Sequence, residues 1–457
     1  MFSELAQAQA EDRLFGFYMW LFSKPPPDSQ NFIEFEIPPF NRLLVTRDPD
    51  HIKTILTSKF SDFGKGPVFH RIWKPFLGDG IFSTDGKLWH GSRSLIRPMF
   101  IKDRVSDLAK FERGAQAFMA QLPNSGQTVE LMGLLYRATL DITTEFLLGH
   151  SAGSLDNPEL AFIKAFDEVQ KTQMRIAVMY RKEYQRGIKT LEAFIMPFVE
   201  KTLALTAEEL EEIGKSDKDF TFLHGLASFT RDPKVIRDQI MNIPLAGRDT
   251  TAGTLSWAFY ELAAYPEKWA RLREEVLSTV GSHKAPTYDD LKNMRYLRYT
   301  VNETLRLYPA LPYNTRAALN DTTLPGGPGR SDIAILKGDA FADPSIFSPE
   351  WWYNWQPQAW NFVPFNGGPR ICVGQNFAMT EMAYFMVRIL QRYERLEYRG
   401  DWGHSFTRPI SSRGPRWECP SPCSRLWEKR EKEEEEAMRD DEARGLSWHP
   451  PRPPLLL

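Results

Sequence analysis

The stretch PFNGGPRICVGQNFAM, Pro364 to Met379, decides how the rest of the chain is read. Its skeleton is Phe365-x-x-Gly368-x-Arg370-x-Cys372-x-Gly374, followed at once by an apolar helical pattern. Gly367, Gly368 and Gly374 let a backbone turn tightly and approach a flat ligand closely. Cys372, just before a helix, lies where backbone N–H groups and the helix dipole favour an anion, so a thiolate is expected there. Arg370 suits a carboxylate of the same ligand, and Phe365 suits packing over the sulfur side. A lone cysteine beside a glycine-rich turn is most often an inert buried residue. Five matched positions in so short a loop argue for a ligand site instead.

Outward from that loop, apolar residues recur at helical spacing. The pattern predicts helices over Leu131–Leu148, Leu160–Tyr180, Tyr184–Leu205, Lys234–Tyr265, Pro266–Val280, Met294–Tyr308 and Gln375–Tyr393. Asn41 to Thr46 reads as a strand, and Asp48-Pro49 opens a short helix. Leu311 to Ile335 reads as irregular and strand-rich around Pro325-Gly326-Gly327-Pro328-Gly329. The fold class is therefore mainly α with a small β-rich region. From about Gly400 the chain turns rich in Pro, Ser, Arg and Trp and then densely charged, as solvated tails are. The expected organisation is an N-terminal segment 1–31, a catalytic domain 32–399 and a charged tail 400–457.

With 57 basic and 59 acidic residues the net charge is −2, which gives no pull toward nucleic acid. Cys372, Cys419 and Cys423 are too few for a disulfide framework and fit a reducing compartment. No secretory signal is visible. The apolar run Leu14 to Phe22 is far short of the roughly 20 residues that span a bilayer. Its aromatic residues, Phe15, Phe17, Tyr18, Trp20 and Phe22, fit either a peripheral contact with a membrane surface or a packed N-terminal element.

The Pro364–Met379 loop resembles the haem-binding loop of the cytochrome P-450 superfamily, and that likeness carries expectations for the whole chain. It implies the superfamily's fold and haem b, with Cys372 as the fifth ligand of the iron. It implies a long helix across the distal face, supplied by Ala246-Gly247-Arg248-Asp249-Thr250-Thr251. There the small residues make room for dioxygen, Asp249 relays protons and Thr250 donates a hydrogen bond. Trp89 and Arg93 fit the family's WxxxR helix and suit a haem propionate, as does Arg316. Glu303 and Arg306, three apart on one helical face, fit a supporting ion pair behind the cysteine loop.

Four segments, RDQIMNIPLAGRDTTAGTLSWAFYEL, PFNGGPRICVGQNFAM, LDITTEFLLGHSAGSL and WHGSRSLIRPMF, resemble fungal microsomal hydroxylases of n-alkanes and fatty acids. This resemblance implies hydroxylation of an apolar substrate with O2 and electrons from an NADPH-dependent flavoprotein reductase, at the cytosolic face of the endoplasmic reticulum. The pocket is expected to draw on an Asp62–Phe82 loop and the Phe162–Arg186 region.

Four departures from the family pattern stand beside that likeness. Pro244 lies two residues before Ala246, where proline removes a helical hydrogen bond. Trp351 stands where the family places an arginine that completes the Glu303–Arg306 pair, and a buried pair missing a partner costs about 3–5 kcal/mol. The connection 339–348 is short. The closing strand hairpin after Tyr398 is not recognisable, so the fold is expected to be incomplete at its C-terminal strands. These departures point to the alternative of a degenerate haem-binding relative without catalysis.

Overall fold

The computed structural model describes residues 22, 32–37, 40–100, 108–123, 127–175, 182–215, 220–311, 314–320, 322, 324 and 347–399. Two compact units are delineated, 1–333 with 347–411 and 334–346 with 412–457; every described residue lies in the first. The 339–346 connection, the segment after Arg399 and most of the first 31 residues lie outside the described residues.

Strands β1 (Phe32–Ile37) and β2 (Phe40–Thr46) form an antiparallel hairpin with Phe32 opposite Thr46. The short helix α1 (Pro49–Lys53) starts where expected. Asp48 caps it by accepting from the backbone N–H groups of Asp50 and His51, and Pro49 sits at the first turn. A two-residue strand β3 (Phe63–Gly64) precedes α2 (Gly66–Leu77) and α3 (Gly86–Ile96). Helix α2 corrects the reading of Asp62–Phe82 as one loop. Its prolines, Pro67 in the first turn and Pro75 near the end, occupy places that a helix tolerates.

The helical body follows as α4 (Ala109–Gln121), α5 (Leu131–Leu148), α6 (Ala161–Arg175), α7 (Lys182–Leu203), α8 (Ala207–Lys215) and α9 (Phe222–Phe229). Then come α10 (Pro233–Ala264), α11 (Pro266–Thr279), α12 (Tyr288–Asn293) and α13 (Arg295–Leu307). Strand β4 (Ala317–Ala318) and α14 (Gln375–Arg392) complete the described elements. Of the strand-rich region expected at 311–335, only β4 falls among the described residues as strand.

Helix α10 is the axis of this unit. Its 32 residues extend about 48 Å at the α-helical rise, and it packs on α5, α7, α13 and α14. Asp232 caps it and Pro233 opens it. The helix runs unbroken through the buried Pro244, because packing on both sides holds the backbone there. Among the described residues no helix is long and apolar enough to cross a membrane.

One small pairing matters for the site. Strand β4 lies antiparallel to β3, with Phe63 opposite Ala318 and Gly64 opposite Ala317, and Leu319 N–H donates to the Asp62 carbonyl at 2.7 Å. The pairing brings the start of α2 beside residues 314–318, which are some 250 positions away in the chain.

Candidate active site

The cysteine loop is shaped by its backbone. Gly368 has φ +62°, and a Cβ there would stand 1.9 Å from the Leu56 carbonyl oxygen, so no other residue fits. A single 3-10 turn, Gly368–Arg370, leads into the cysteine, whose N–H donates to the Phe365 carbonyl at 2.9 Å. Phe365 packs, partly buried, against the core. Gly374 has φ −87°, and a Cβ there would meet only Phe100 at 3.6 Å. The protein itself thus does not demand a glycine at 374, and the space stays open on the ligand side.

Cys372 is exposed, yet burial pushes its thiol pKa up, against the Gly374 backbone N–H and Arg93, which pull it down. The expected lowering by the helix terminus is therefore outweighed in the protein alone: the helix begins three residues on, at Gln375, and burial disfavours the anion more strongly.

Beside the loop the structure gathers cations. Arg370 Nη2 bonds the Asp85 carboxylate at 2.6 Å and the Thr84 carbonyl at 2.8 Å, while its guanidinium lies 4.7 Å from the buried Trp89 ring. Arg93 Nη1 donates to the Ile371 carbonyl at 2.9 Å. Lys65 and Arg316 both bond Asn314 Oδ1 and the Thr315 carbonyl. Asp85 in turn accepts from the backbone N–H groups of Lys65 and Gly66, each at 2.8 Å.

The cluster is short of negative charge. Burial, then Arg316 and Arg370, bring Lys65 down to about 7, with Asp85 pulling the other way. Burial brings Arg370 down to about 10, with Arg316 and Arg93 adding to the fall. Arg370 Nε is buried without a hydrogen-bond partner. Cations that repel one another, with a donor left over, fit a ligand carrying carboxylates. Lys65 and Asp85 were missed in the sequence because the β3–β4 pairing that places them has no local signal.

The second half of the site is the middle of α10. Leu245, Ala246, Gly247 and Thr250 are partly accessible, whereas the residues around them are buried. Small, accessible residues in a helix that crosses the core mark an internal opening. Thr250 Oγ1 donates to the Ala246 carbonyl at 2.6 Å. Asp249 is buried, and burial raises its pKa against the pull of Arg248 and of Gln170. The Gln170 amide donates to Asp249 Oδ2. These hydrogen bonds run along and behind α10, not to the cysteine loop.

Glu303 and Arg306 form a buried ion pair. Glu303 is 0 % exposed and accepts from Arg306 Nε at 2.8 Å and Nη2 at 2.9 Å. The expected deficit at Trp351 is corrected. Ser348 N–H donates to Glu303 at 2.9 Å, and the Trp352 indole N–H donates at 3.0 Å. Trp351 instead lies under the Arg306 guanidinium, 5.0 Å from ring centre to Cζ. Two neutral donors and a π face do the work of the missing arginine.

The chain is similar to known proteins over most of its length. A family model described as Cytochrome P450 matches residues 36–401. Cytochrome P450 monooxygenase pvhE from Talaromyces variabilis is 45% identical over 403 residues, covering 78% of this chain and 75% of that protein. Cytochrome P450 52A13 from Debaryomyces hansenii is 38% identical over 402 residues, covering 79% and 77%. Cytochrome P450 52A1 from Candida tropicalis is 39% identical over 401 residues, covering 78% and 73%. In fold, the chain is similar to the crystal structure of the cytochrome P450DA heme domain, with a TM-score of 0.70 and 22% identity over 84% of this chain and 87% of that one.

Proposed function

The chain belongs to the cytochrome P450 family of haem-iron monooxygenases, and from that premise we propose that it hydroxylates an unactivated C–H bond of a long-chain apolar substrate of the alkane or fatty-acid type. What carries this reading is the pairing of an accessible cysteine in a glycine-shaped loop with an under-neutralised cation cluster beside it. The fatty-acid or alkane class rests on the four segments that resemble fungal hydroxylases.

In this reading Cys372 would hold the iron, and Arg370, Arg93, Arg316 and Lys65 would hold the carboxylates of the haem, with Trp89 against the Arg370 guanidinium. Haem, when bound, would supply dioxygen activation, which a thiolate ligand favours. The chain's own part is to exclude water, bind the substrate and deliver protons. Burial raises the Asp249 pKa and so favours its proton-carrying form, which suits it to deliver protons. Thr250, now turned to the Ala246 carbonyl, takes its place beside the opening as the hydroxyl that passes the proton inward. Glu303, Arg306, Trp352 and Ser348 brace the loop. Electrons come from an NADPH-dependent flavoprotein reductase, at the cytosolic face of the endoplasmic reticulum.

The complete set of donors around Glu303 supports the active enzyme over the degenerate relative. The deciding experiment is to express the chain, reduce it under carbon monoxide and record the Soret band. A strongly red-shifted band is expected of thiolate-ligated haem. A histidine-like or absent band overturns the reading. NADPH-dependent oxidation of a long-chain fatty acid with added reductase then tests the substrate class.

A further inference from the structure

Arg248 stands between two carboxylates. Its Nη1 is 2.7 Å from Asp167 Oδ1 on α6, and its Nε is 3.7 Å from Asp249 Oδ1 on its own helix. The second separation is an ion-pair distance but too long for a hydrogen bond. Both atoms across that gap, Arg248 Nε and Asp249 Oδ1, are buried and lack a hydrogen-bond partner. An orphaned donor facing an orphaned acceptor is costly, and a small rotation of the guanidinium would satisfy both. The guanidinium is held away. Asp167 grips it from the α6 side, and the rings of Tyr136 and Phe166 each lie 5.2 Å from its Cζ.

We propose that Asp167 is a positioning residue for the proton-delivering acid: by keeping the Arg248 guanidinium to itself it holds that charge off Asp249. The proposal rests on the reading of Asp249 as the acid that delivers protons. The groups around Asp249 are Arg248 on its own helix, Asp167 and Gln170 on α6, and Tyr136 on α5 against the guanidinium. With Arg248 and Asp167 paired, their charges largely cancel at Asp249, and desolvation decides in favour of the neutral acid. Remove the Asp167 charge and the gap to Oδ1 closes, so that Asp249 ionises more readily. Asp167 is also the outer member, with its side chain 22% exposed against 3% for Arg248 and 11% for Asp249. Each proton that Asp249 gives up toward Thr250 is replaced from solvent on that side.

The test compares Asp167→Asn and Asp167→Glu in the full chain. The infrared carbonyl band of a protonated carboxyl that disappears in Asp249→Asn identifies Asp249, and its titration midpoint is read in each variant. In Asp167→Asn the midpoint is expected to fall by about one pH unit or more, while Asp167→Glu keeps the wild-type value. In the haem-loaded enzyme, Asp167→Asn should lose product formed per electron at a correspondingly lower pH. An unmoved midpoint in Asp167→Asn, or equal falls in both variants, overturns the proposal. Failure of the wild type to give the thiolate Soret band overturns the monooxygenase reading, and the delivery role with it. A normal Soret band with an unmoved midpoint overturns the Asp167 proposal alone.

Discussion

Glu303 shows how a buried charge survives the loss of an expected partner. Its four acceptor contacts come from Arg306 twice, from Ser348 N–H and from the Trp352 indole. Removing the indole donor while keeping an aromatic ring should leave one carboxylate oxygen short of a partner. Trp352→Phe is therefore expected to lower unfolding stability by about 1–3 kcal/mol. Arg306→Ala, which leaves the carboxylate uncompensated, should cost about 3–5 kcal/mol. Denaturant melts of the two variants check the order, and a Trp352→Phe protein as unstable as Arg306→Ala would contradict it. At this scale Cys372, Arg370, Trp89, Glu303 and Arg306 stand out in the sequence because each sits in a short motif. It hid the compensation at Trp351, since a backbone N–H and a neighbouring indole become donors only through the 3-10 turn Pro349–Tyr353.

The elements were legible where one apolar period runs without interruption, as in α5, whose ends fell at Leu131 and Leu148 as read. They were least legible at α2, where Gly66, Pro67 and Pro75 read locally as loop. How α2 and α3 are hung on α10 could not be read at all, because it depends on side chains reaching the turn between them. Asp238 accepts from Asp79 N–H at 2.9 Å, and Asn242 donates to the Leu77 carbonyl at 2.9 Å and accepts from Phe82 N–H at 3.3 Å. Gly78 and Gly80 are glycines for that reason, since a Cβ at either would fall about 2 Å from Asp238 or Asn242. This turn leads directly into Asp85, the carboxylate in the cation cluster. Asn242→Ala orphans a buried carbonyl and is expected to cost about 1–3 kcal/mol. It should also speed amide exchange at Phe82 while leaving the distant α11 amides unchanged. A uniform rise in exchange across both would show that the turn is not hung on α10.

The charge of the whole molecule is close to balanced, at −2, and for that reason said nothing about a site where four cations are drawn together. Local imbalance instead predicts how the haem-free protein answers to pH. Lys65 titrates near 7 in the folded chain and near 10.4 when unfolded. Between those values the unfolded state binds the extra proton, so stability rises with pH across that window. Glu381 on α14 works in the opposite sense. It is fully buried, neither carboxylate oxygen has a hydrogen-bond partner, and burial raises its pKa well above the usual range, against a small pull from Thr251. Its folded pKa lies above the unfolded value of about 4.3, so the native state holds the proton longer and stability falls as pH rises from there. Calorimetric melts should therefore show a decline above about pH 4.3 that Glu381→Gln lessens, and a recovery above pH 7 that Lys65→Met removes. If, as proposed, Lys65 faces the haem carboxylates, loading raises its pKa, so the recovery should vanish in the loaded wild type. Near pH 8 the Cys372 thiol gives up its proton on ligating iron, so the wild type should release fewer protons on haem binding than Lys65→Met. If the loaded protein keeps the rise, or if haem binding exchanges the same number of protons in wild type and Lys65→Met, Lys65 does not face the haem carboxylates.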